Sequence, residues 1–88
     1  MDVDHHDLGK EFPALSGAID VLSRDNPLFA RLYSSYNQVT DTIEDIENRN
    51  MPIDDYTFES MKMHRVKLKD FLYNLMLAFD SGRKSVSG

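Results

Sequence analysis

PLFARLYSSYNQVTDTIEDIENR, residues 27–49, decides how this chain folds. Its apolar residues fall at Phe29, Leu32, Tyr36, Val39, Ile43 and Ile46, in steps that alternate three and four. That spacing draws one stripe along a helix, the seam of a rod that lies lengthwise on another helix. A second stripe follows downstream. Phe58, Met61, Arg65, Leu68, Leu72, Leu75 and Phe79 repeat the alternation over a helix expected at 55–79. Asn48, Asn50 and Pro52 stop the first rod, and Asp54 stands where the second needs its N-cap. A link of a few residues between two long helices makes them antiparallel neighbours. The expected layers are Ile46 with Phe58, Ile43 with Met61, Val39 with Arg65, Tyr36 with Leu68, and Leu32 with Leu72. The fold class is therefore all-α: a coiled-coil-like antiparallel two-helix hairpin.

Upstream of the rod, Phe12-Pro13 opens a short N-terminal helix expected at 13–24, because proline suits a first helical turn. Leu15, Ala18, Ile19 and Leu22 give it an apolar stripe. Asn26 precedes Pro27 and is pushed out of helical backbone angles, so a break is expected there; one kinked helix is the alternative. Residues 1–11 have no apolar periodicity and are expected to form a flexible acidic tail. Gly82 and the polar SGRKSVSG ending predict a disordered tail over 80–88. One helical-hairpin domain, residues 12–79, remains.

Eighty-eight residues bound the chain to one small domain. It has no cysteine, which removes disulfides and thiolate zinc sites. No apolar run approaches the roughly 20 residues that span a bilayer, and the N-terminus is unlike a secretory signal, so a cytoplasmic location is expected. Charge is uneven. Residues 1–61 hold 13 acidic and 4 basic side chains, and residues 62–88 hold 2 and 6. Within one hairpin the two segments neutralise each other. The net charge of −5 opposes nucleic-acid binding over distance.

Few residues point to chemistry. His5-His6-Asp7 lacks the three or four convergent ligands of a metal site, so no metal is expected. There is no nucleophile elbow, phosphate loop or HExxH, and no catalytic residue or cofactor is assigned. Arg65 stands in the seam where a hydrophobe belongs. Its expected role is to set register, with its stem packed and its head on Asp41, Thr42 or Tyr36. The run Lys62, His64, Arg65, Lys67, Lys69 winds around its helix without forming one stripe. The segment FLYNLMLAF, residues 71–79, is apolar on nearly every side and needs cover. Phe71, Tyr73, Met76, Leu77 and Phe79, with Leu15, Ile19 and Leu22, are therefore the candidate interaction residues.

Three blocks resemble the YdcH family, small bacterial cytosolic proteins of undetermined function. They are His6-Asp7-Leu8 with Glu11-Phe12-Pro13, then Phe29-Ala30-Arg31-Leu32 through Tyr36-Asn37 to Ile43 and Ile46-Glu47, and Arg65-Val66-Lys67-Leu68-Lys69-Asp70 with Leu72-Tyr73. The resemblance implies a helical hairpin and supplies no activity, cofactor or catalytic residue. The chain departs from it at Phe71, where the family usually has an acid. It also departs in extending through 77–88, and in a start of the third helix less rich in glutamate. The expected function is a non-enzymatic interaction module that self-associates into a homo-oligomer or docks a protein partner. The alternative is a nucleic-acid-associated regulator using the basic third helix and the Arg83-Lys84 tail. No small-molecule substrate and no membrane partner are expected.

Overall fold

The computed structural model describes residues 8–87, with side chains through residue 82. Its elements are α1 (Leu8–Glu11), a 3-10 turn (Pro13–Leu15), α2 (Ser16–Asp25), α3 (Pro27–Arg49) and α4 (Asp55–Ser87). The described residues are all helix, turn and short connection, so the fold class is all-α. The two long helices pack along one another, and α2 packs on both. The long axis measures 52 Å, close to the roughly 50 Å rise of a 33-residue helix, so α4 sets the molecule's length.

Each boundary has a local cause. Asn26 sits in extended conformation before Pro27, and its Oδ1 accepts from the Phe29 amide at 3.1 Å. The break between α2 and α3 is thus a cap, as the sequence predicts, and not a kink. At the far end Asn50 takes a left-handed conformation, φ 54°. Asparagine tolerates it, and the Met51 amide donates to the Ile46 carbonyl at 3.1 Å to close the helix. Asp54 then caps α4, its Oδ2 accepting from the Thr57 amide at 3.0 Å.

The Thr57 hydroxyl, then the Thr57 amide, hold the Asp54 carboxyl below its usual range. Because the folded value lies below the unfolded one, the cap stabilises the fold above the unfolded pKa and is lost as pH falls through the folded value. Asp54→Asn keeps an acceptor but not the charge. Its deficit in melting temperature relative to wild type should be present at pH 7 and shrink as the pH drops below 3.8. Thermal melts at a series of pH values check this.

Three expected boundaries are corrected. Residues 8–11 are not a flexible tail: they form α1, and Leu8 is completely buried. A lone leucine among polar residues has no periodicity to reveal it. Residues 13–24 are not one α-helix. Pro13 opens a 3-10 turn closed by the Leu15 amide on the Phe12 carbonyl at 2.9 Å, and α2 starts at Ser16. Residues 80–87 are not a disordered tail, because α4 continues through Ser87. A single helical glycine costs about 1 kcal/mol relative to alanine and does not end a helix, and no proline follows Gly82.

The core lies where α1, α2, α3 and the middle of α4 meet. Leu8, Leu15, Ala18, Ile19, Leu22, Phe29, Tyr36, Leu68, Leu72 and Met76 form one buried cluster. On α4 the buried face steps by four, from Leu68 to Leu72 to Met76, and not by three and four. The face therefore turns around the helix toward α2, leaving Leu75 and Phe79 only half-buried.

Candidate functional site

Two surfaces stand out, one polar and one apolar. The polar one joins α1, α3 and α4 around Arg65. Its Nε donates to the buried Thr40 Oγ1 at 3.0 Å, and its guanidinium lies 5.6 Å from the Tyr36 ring centroid. Its Nη2 is 3.7 Å from Glu11 Oε2, while Lys69 Nζ donates to Glu11 Oε1 at 2.8 Å. Arg65 and Lys69 lie one turn apart on α4, so Glu11 bridges two cations that would otherwise repel. All three side chains are between 20% and 26% exposed, which makes the pairing stronger than a wet surface bridge.

Arg65 does occupy the seam, but its partners differ from those expected. Thr40 accepts its hydrogen bond in place of Asp41 or Thr42, and Tyr36 meets it by its ring face. The Tyr36 hydroxyl is buried with no hydrogen-bond partner among the described residues. Sequence reasoning missed Glu11, which lay in a stretch expected to be mobile. It missed Thr40 too, a polar residue beside the apolar stripe of α3 and not on it. Arg65→Leu should change stability by less than about 1 kcal/mol, since it leaves no buried charge uncompensated. Glu11 keeps Lys69, and the Thr40 hydroxyl can turn back to its own helix. Urea denaturation of the variant checks this.

The apolar candidates divide. Leu15, Ile19, Leu22 and Met76 are buried within the chain itself, and Tyr73 and Phe79 pack against the same cluster. Tyr73 stacks on Phe12 with centroids 4.7 Å apart. Tyr73 is thus not free for a partner as expected of an interaction residue: Phe12, between α1 and the 3-10 turn, covers it. Only Phe71, 53% exposed, and Leu77, 38% exposed, remain on the surface. They share the outward side of α4 with Tyr56, Met63 and Val66, which are also exposed and which the sequence reading left out. Tyr56, Met63, Val66 and Leu77 recur at helical spacing, with Phe71 at the flank of that side, a signal hidden because the inward stripe on the same helix is stronger.

The residues expected to meet phosphate are largely occupied. Lys62 pairs with Glu59 at 3.5 Å and lies 4.4 Å from the Phe58 ring centroid, and Arg65 and Lys69 hold Glu11. Among the described residues no group of three or more His, Cys, Asp or Glu is placed to hold a metal. His5-His6-Asp7 lie outside the described residues. No described helix is long and apolar enough to cross a membrane.

A family model described as "Protein of unknown function (DUF465)" matches residues 29–76, more than half of the chain. The chain belongs to the DUF465 family. The matched span starts at Phe29 and ends at Met76, both in the core, and takes in α3 with the first two-thirds of α4. It includes Tyr36, Thr40, Arg65, Lys69 and Phe71, while Glu11 and α2 lie before it. DUF465 is a family of unknown function, so membership brings no activity to this chain. No curated protein and no solved structure matches it.

Proposed function

We propose that this DUF465 chain is a non-enzymatic protein–protein interaction module that works through the outward side of α4. The observation that carries the reading is the exposure of Tyr56, Met63, Val66, Phe71 and Leu77 on that one helix. Apolar side chains gathered on one side of a small domain mark a contact surface. The rest of the molecule serves as the rod that presents it: an antiparallel, coiled-coil-like hairpin of α3 and α4, its register set by Arg65 on Thr40 and buttressed by α2. The blocks shared with the YdcH family, which span both long helices, favour the same architecture and a cytosolic setting. We assign the domain to residues 12–79 with α1 docked onto it.

Phe71→Glu places a charge on this surface, at a site that is already exposed, so the fold should survive it. Wild-type chain should either associate with itself or retain a protein partner that can be purified and recombined with it. The variant should lose that association while its helix content stays unchanged by circular dichroism. Wild-type chain that does neither, or a variant that associates as wild type does, would refute the assignment.

A further inference from the structure

We propose that the partner on the outward side of α4 is a second copy of this chain, with the two α4 helices antiparallel and Lys67 of each set against Asp70 of the other. This deepens the interaction reading above and rests on it.

The side of α4 that faces away from the core has its own heptad order. From Tyr56, steps of four and three reach Ser60, Met63, Lys67, Asp70, Asn74 and Leu77, and every one of these residues is exposed. Tyr56, Met63 and Leu77 are the apolar positions of this stripe and Ser60, Lys67, Asp70 and Asn74 its polar ones, so its charges, more than an apolar seam, decide how two copies pair. Its pattern chooses the pairing. In a parallel pair each layer meets itself, so Lys67 faces Lys67 and Asp70 faces Asp70, and both layers repel. In an antiparallel pair the two kinds of seam position face each other. One register places Met63 opposite Asn74 and Ser60 opposite Leu77. It also brings Lys67 opposite Asp70, and does so twice because the pair is two-fold symmetric. A shift of one heptad either way sets Lys67 against Met63 or Leu77, and Asp70 against Ser60 or Asn74, so neither charge finds its opposite.

The surface already holds a seat for the lysine. A shallow cleft is lined by Lys67, Asp70, Phe71, Asn74 and Leu75. Its walls are apolar at Phe71 and Leu75 and anionic at Asp70, with the chain's own Lys67 ammonium at one side. A lysine entering from the facing helix lays its stem on Phe71 and brings its ammonium to the Asp70 carboxylate. Among the described residues neither Lys67 nor Asp70 has an ion-pair partner within its own chain. The contact is self-complementary: each copy supplies one knob and one hole.

Charge reversal and cross-linking test the register together. Lys67→Asp sets two like pairs face to face, and Asp70→Lys does the same with the opposite sign. Each should raise the dimer dissociation constant about tenfold or more, while the double swap should return it to within about threefold of wild type. Sedimentation equilibrium over a range of loading concentrations measures this, with circular dichroism to check that each variant is folded. The chain has no cysteine, so Met63→Cys with Asn74→Cys reports geometry directly. The two sites lie about 16 Å apart on one helix, too far for a disulfide within a chain. Oxidation should give a covalent dimer whose yield falls with Lys67→Asp and recovers when Asp70→Lys is added. A wild-type chain that stays monomeric at every loading concentration overturns the self-pairing. The broader interaction reading then stands or falls on whether Phe71→Glu releases a different, purified protein. A dimer indifferent to both reversals overturns the self-pairing as well.

Discussion

Leu72→Ala lowers the free energy of unfolding by about 2–5 kcal/mol, and Phe71→Ala, its immediate neighbour, changes it by less than about 0.5 kcal/mol. Leu72 is completely buried among the side chains of the central cluster, where α2 and α3 both press on α4. Truncation there removes apolar contact and leaves a cavity that helices held from several sides close only in part. Phe71 lies 100° around the same helix turn and is 53% exposed, so the folded monomer gives up little when it is shortened. A domain of this size has about 5–15 kcal/mol to lose, so Leu72→Ala brings it near unfolding at physiological temperature. Urea denaturation followed by circular dichroism, at concentrations low enough to keep the chain monomeric, separates the two substitutions. Equal losses would mean that the buried and outward faces of α4 are wrongly assigned.

The same pair of residues marks how far the sequence could be read. Two stripes of apolar residues at three-four spacing, with Pro27, Asn50, Pro52 and Asp54 between and before them, give both long helices and their connection, because these signals are local. Leu72 belongs to such a stripe and is buried as expected. Met76 is not on the expected stripe, yet it is completely buried, while Leu75 and Phe79 are only half-covered. The cause is tertiary. α2 and the turn before it lie against the middle of α4 and draw its buried face around the helix, and no periodicity within α4 records where another element will dock. The α1 segment is illegible for the same reason: Leu8, Glu11 and Phe12 do not repeat, Leu8 is buried in the cluster, and Glu11 and Phe12 meet Lys69 and Tyr73, about sixty positions away. FLYNLMLAF, which the sequence marks as needing cover, finds part of it within the chain. Its Leu72, Tyr73 and Met76 side belongs to the core, and its Phe71 and Leu77 side is the part left for a partner.

Glu11→Lys releases the N-terminal segment from the rod and lowers stability by about 2–3 kcal/mol, while α3 and α4 stay helical. Glu11 holds Lys69 at 2.8 Å and Arg65 at 3.7 Å, in surroundings where all three side chains are about a quarter exposed or less. Removing the carboxylate leaves two cations one helical turn apart without their shared anion. Replacing it with a third cation adds repulsion in a partly dehydrated site. The segment has other anchors: Leu8 is buried in the cluster and Phe12 stacks on Tyr73. Both must leave if residue 11 swings away, which is why the expected effect exceeds that of an exposed ion pair, about 0–1 kcal/mol. Glu11→Gln keeps the length and the hydrogen-bonding oxygen but not the charge, so its loss should fall between wild type and Glu11→Lys. Added salt should recover part of the Glu11→Lys deficit by screening the three cations and should change Glu11→Gln little. Hydrogen exchange locates the effect: the amides of Phe12 and Leu15 and those of residues 16–19 should lose protection in Glu11→Lys, while those around Ile43 and Ile46, far along α3, keep theirs. Protection that is unchanged near residue 12, with wild-type stability, would show that Leu8 and Phe12 hold the segment without help from the charge.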